Sequence, residues 1–113
     1  MGMVIQICDR NDDRSVYFDE NAPGIERERL SRISAPFSYW SRFADETGTE
    51  EVMSMLFPNQ EEVSLDFSHL KAFTDAWERK NEIPEKHHQV LLWFIFWMRH
   101  ALLNFEEAIV INY

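Results

Sequence analysis

The chain has 113 residues, 45% of them hydrophobic and 14% aromatic, with three glycines and four prolines. That composition excludes disorder as the global state and suits one domain, residues 1–113, large enough to bury its own core. Eleven Lys and Arg against 20 Asp and Glu give a formal charge of −9, an exterior that repels nucleic acid and anionic lipid and attracts cationic partners.

Residues 3–8, Met-Val-Ile-Gln-Ile-Cys, are apolar and partly β-branched and predict a strand. Cys8 is the single cysteine, so an internal disulfide is excluded and a buried, inert thiol is expected. The same stretch has neither the basic region nor the long apolar segment of a signal peptide. Gln6 also stands where a myristoylation motif after Gly2 wants Ser or Thr. Asp9 to Arg14 reads as a polar turn, and Val16 and Phe18 alternate with Ser15, Tyr17 and Asp19 as a short return strand. Asn21-Ala-Pro-Gly24 breaks the chain, and Ile25, Leu30 and Ile33 among Glu and Arg suggest a short, mostly exposed helix.

Ser34-Ala-Pro36 opens the next helix, with Phe37, Trp40, Phe43 and Ala44 on one face. Gly48 suits a left-handed stop. Thr49 is then placed to N-cap a helix whose first turn holds Glu50 and Glu51, where the helix dipole favours acids, and Pro58-Asn59 ends it. Val63, Leu65 and Phe67 alternate as a strand would, but Phe67, Leu70, Phe73, Ala76 and Trp77 continue at helical spacing. Helix is therefore expected from about residue 65 to Lys80.

The last helix, residues 84–104, contains Val90 to Met98, nine apolar residues in a row with four aromatic rings. A helix apolar on every side must be covered on every side, which makes it the central buried element. At ~1.5 Å per residue the run covers about 14 Å, too short for a hydrocarbon core of roughly 30 Å, and Arg99 and His100 interrupt it. Ala108 to Ile111 predicts a final strand, paired with residues 3–8 because chain ends of compact domains often meet. The expected fold is α+β: about five helices packed around the central buried helix 84–104, with a small sheet from the N-terminal hairpin and the C-terminal strand. A cytoplasmic protein follows.

Four motifs invite a specific chemistry. Asp9 to Glu20 resembles an EF-hand calcium loop, with oxygen donors at positions 1, 3 and 5 and Glu20 at position 12. Arg14 nevertheless occupies the turn position that requires glycine, and an acidic hairpin turn explains the same letters. His87 and His88 point about 100° apart on a helix, so they do not share one metal ion, and exposure in the first turn accounts for both. No Gly-x-Ser-x-Gly elbow or phosphate loop is present, which leaves nucleophilic catalysis without a foothold. Trp40, Trp77, Trp93 and Trp97 each lie on an apolar helical face and read as core, one of the last two reaching the surface as an interface anchor.

The carboxylates cluster at turns and element ends rather than on helix faces balanced by lysine. If several of these ends converge, they form a patch that speeds encounter with a basic protein. The expected function is a non-catalytic inhibitor of the immunity or antitoxin type that masks the active surface of a basic, nuclease-like toxin. Its candidate partner-binding residues are Asp45, Glu46, Glu50, Glu51, Glu61, Glu62 and Asp66. No catalytic residue, metal or cofactor, and no nucleic-acid or membrane partner, is expected. The alternatives are a phage-type acidic mimic of nucleic acid that inhibits a DNA- or RNA-binding complex, and a small calcium-binding module or enzyme.

Overall fold

The computed structural model describes residues 2–24, 29–57 and 62–113. Four strands and four α-helices follow one another along them: β1 (Gly2–Asp9), β2 (Arg32–Pro36), α1 (Phe37–Thr47), α2 (Glu50–Leu56), β3 (Val63–Ser64), α3 (Phe67–Glu78), α4 (His88–Asn104) and β4 (Ala108–Asn112). The sheet is antiparallel in the order β2-β1-β4-β3. Ile7 sits opposite Val110 and Ile5 opposite Asn112, and the chain ends are tied by Val4 N–H to Tyr113 O at 2.7 Å and Tyr113 N–H to Val4 O at 3.0 Å. The expected α+β class and the pairing of the two ends hold.

Strand alternation turns Met3, Ile5 and Ile7 into the core. There α4 packs on β1 and β4 and is backed by α3. Phe94 is the hub, stacked on Phe73 at 4.5 Å and 9°, and 5.7 Å from Phe43 and 5.1 Å from Trp93. Two indoles fasten the sheet side: Trp93 Nε1 donates to Leu30 O at 2.8 Å and Trp40 Nε1 to Met3 O at 3.1 Å.

Several expectations need correction. The described residues hold four α-helices, not about five. Of the helix expected from Ile25, residues 25–28 lie outside the described residues. Leu30 instead bridges Phe18, and Ile33 is in β2. The reason is visible in Arg32 to Pro36, where exposed and half-buried residues alternate with a period of two. The partner of β1 in the N-terminal hairpin is therefore β2, and Val16–Phe18 contributes only that bridge. Asp66 begins α3 later than expected, accepting from the Ser68 and His69 amides while His69 Nδ1 accepts from Asp66 N–H.

The central helix also begins later. Glu85–His87 form a single 3₁₀ turn before α4. Nor is α4 covered all round: Leu92, Ile95 and Phe96 are half-buried and, with the exposed Leu103, line an open groove. Trp93 and Trp97 are both buried, so neither reaches the surface. Among the described residues no helix is long and apolar enough to cross a membrane.

Candidate functional site

The junction of α1 and α2 is built by short-range geometry. Gly48, at φ 70°, reverses the chain, and its N–H returns to Ala44 O and Asp45 O. Thr47 Oγ1 donates to Phe43 O at 2.6 Å and lies 2.7 Å from Thr49 Oγ1. Thr49 stands at the N-cap position of α2 as expected, but its hydroxyl is turned to Thr47 and makes no cap bond to the helix. The tight reversal leaves Asp45 in the last turn of α1 within a few residues of Glu50 and Glu51 in the first turn of α2.

Two longer contacts gather further elements here. His87, fully buried rather than exposed as the sequence suggested, places Nε2 2.9 Å from Glu46 Oε2 and Nδ1 3.4 Å from the Tyr39 hydroxyl. Its ring meets the edge of Phe43 at 5.5 Å and 83°. The His87 hydrogen bond holds the Glu46 carboxyl below its ordinary value, and burial, then Glu46, raises the Tyr39 hydroxyl. Arg79, just past α3, reaches Thr47 O with Nη2 at 3.4 Å. The end of α1, the start of α2, the end of α3 and the turn before α4 therefore meet at the N-terminal end of α4.

Asp45, Glu50, Glu51, Glu78, Glu82 and Glu85 are exposed there, and none has a cation within ion-pair distance among the described residues. Most of the local cations are occupied, and Arg42, on α1 one turn before Asp45, lies near enough to Glu46 to help lower its carboxyl. Lys86 Nζ is 3.8 Å from Glu46, Lys71 Nζ 2.8 Å from Asp75, and Lys80 Nζ lies 4.8 Å from the centre of the Trp77 ring. Arg79 is turned to the carbonyls of Thr47 and Asp75.

A second acidic group lies at the other end of α4, roughly 25 Å away at 1.5 Å per residue. Most of its carboxylates are engaged. Glu62 pairs with Arg10 at 2.8 Å and Arg14 at 2.6 Å, and Glu107 with Arg10 at 2.7 Å. Asp9 accepts from the amides of Asn11 at 3.0 Å, Glu106 at 3.1 Å and Glu107 at 3.3 Å, which holds its carboxyl below the ordinary range. Asp12 bonds the Tyr17 hydroxyl. Asp13 and Glu20 are exposed and stand outside this scheme. Close by, burial pushes the Cys8 thiol up to about 11, consistent with an inert role.

Of the sequence-derived candidates, Asp45, Glu46, Glu50 and Glu51 come together. Glu62 is ion-paired at the opposite end, Asp66 caps α3, and Glu61 lies outside the described residues. Glu78, Glu82 and Glu85 join the site although they were not among the expected partner-binding residues. A signal existed for part of this: Asp45, Glu50, Glu51 and Glu78 have no Lys or Arg at i±4. In the Asp9–Glu20 stretch, Asp9 faces backbone amides and Asp13 and Arg14 both take left-handed φ, 49° and 55°. Among the described residues no three His, Cys, Asp or Glu are grouped as for a metal ion. Comparison with protein-family models, curated proteins and solved structures finds no match.

Proposed function

We propose that this chain is a non-catalytic binding protein of the immunity or antitoxin type, which works in the bacterial cytoplasm and neutralises a basic, nuclease-like toxin by covering its active surface. The observation that carries the reading is the group of six exposed carboxylates at the N-terminal end of α4 that have no cation within ion-pair distance among the described residues. Uncompensated like charges on neighbouring turns repel one another, so they cost the free protein and are relieved when a cationic surface neutralises them. Carboxylates presented this way stand in for the phosphates a nuclease normally meets, and they steer encounter before close contact forms.

The test is capture from a lysate of the source cells with the wild-type chain and with Asp45, Glu50 and Glu51 all changed to Lys. A basic nuclease retained by the first and lost by the second, with its activity blocked at stoichiometric ratio, is the expected result. Retention of a DNA- or RNA-binding complex instead supports the nucleic-acid-mimic reading. Equal retention of the same partner by both chains overturns the acidic end as the binding surface.

A further inference from the structure

We infer that the groove between α2 and α3 is the pocket in which the basic partner seats one arginine or lysine side chain, an inference that rests on the reading above. The groove has a volume of about 370 Å³ and adjoins the acidic end through Gly48, Thr49 and Glu51. That is the lower end of ligand-sized cavities, room for one long side chain with its backbone rather than an extended cofactor.

Its lining is graded in the way a cationic side chain needs. Val52, Met55 and Ala72 supply apolar surface for the methylene stem. Met55 is 51% exposed, a flexible thioether that adapts its shape to what it covers. Glu51 and Asp75 supply carboxylates. Lys71 compensates Asp75 at 2.8 Å, so the pair leaves Glu51 as the uncompensated charge and the groove net negative. An anionic ligand is disfavoured on that balance.

His69 is an independent pointer to an occupant. The residue lines the groove yet is only 6% exposed. Its Nδ1 accepts the Asp66 N–H at 3.1 Å, which places the ring proton on Nε2, and among the described residues Nε2 has no protein partner. A largely covered ring that lines the groove and keeps a spare donor suits a backbone carbonyl. The seated residue therefore gives its side-chain cation to Glu51 and its carbonyl to His69.

N-acetyl-arginine amide is the probe, with the norleucine counterpart as the uncharged control, read by NMR at the methyl groups of Val52, Met55 and Ala72 and at the His69 ring. Saturable shifts at these groups with the arginine compound, and none with norleucine, are expected. Glu51→Gln, on an exposed helical position, should weaken binding about tenfold, the worth of one charge-assisted contact. His69→Met keeps a side chain of similar reach but has no donor, and should weaken the probe several-fold in a chain whose thermal melt shows that it is folded. Shifts spread evenly along all the exposed carboxylates, or affinity unchanged in both variants, overturn the pocket. If the probe binds here while no basic protein is captured, the pocket stands and the inhibitor reading falls. If a nuclease is captured through the acidic end while the probe leaves His69 and Val52 unmoved, the pocket alone falls.

Discussion

At Gly48 the backbone takes a left-handed φ of 70°, and a Cβ added there would come to 3.2 Å from Arg79 Nη2. Both effects act against any other residue, the first because a side chain crowds the following carbonyl, the second because Arg79 holds the Thr47 carbonyl. Gly48→Ala should cost about 1–2 kcal/mol in urea unfolding, and a change below a few tenths would show that the turn relaxes without strain. The glycine stop was legible in the sequence, because a helix-period pattern ended there before a new run of acids. His87 was not. Nothing local says that one of two adjacent histidines turns inward onto Glu46 and Tyr39, because its partners lie 41 and 48 residues away.

Helix α4 shows what an unbroken apolar run can and cannot reveal. Val90 to Met98 marks a helix that belongs in a core, and Trp93 and Phe94 are 2% and 0% exposed. Because every position is apolar, however, the run carries no period to say which side stays open, and Leu92, Ile95 and Phe96 were left half-covered. The two sides should respond differently. Trp93→Ala removes an indole packed on Phe94 and the bond to Leu30 O, and should cost about 3–5 kcal/mol. Leu92→Ala on the open side should cost less than half as much, and chemical denaturation of the two variants side by side decides the matter. Equal losses would mean that the open side is covered in solution. β2 was missed for the opposite reason: its two-residue period was present but short, and Pro36 at its end resembled a helix start more than a strand end.

Over the whole molecule, the two ends of α4 use the same chemistry differently. At one end carboxylates close the fold: Asp9 accepts from the Asn11 amide just after β1 and from the amides of Glu106 and Glu107, which join β1 to the turn before β4, with Glu62 and Glu107 clasping Arg10. At the other end Glu46 is engaged with His87 and Lys86, and six exposed neighbours have no cation within ion-pair distance among the described residues. Composition gave the sign of the charge, but only the tertiary path separates structural acids from free ones. The structural acids set the response to pH. The carboxyls of Asp9, Asp66 and Glu46 are all lowered, the first by the Asn11 amide, the second by the Ser68 hydroxyl and the third by His87. A lowered folded value means that the unfolded chain binds the proton more readily, so stability rises with pH through this range. The contribution is complete above the ordinary values, 3.8 for the aspartates and 4.5 for Glu46, and is lost as pH falls through the lower folded values. Thermal melting from pH 7 to about 2 should therefore stay level and then drop below the ordinary carboxylate range. Asp9→Asn should melt lower at neutral pH, show a shallower acid limb, and approach the wild-type curve as both lose their charges. A variant curve that merely runs parallel to the wild type would show that the Asp9 charge plays no part in joining the two ends of the chain.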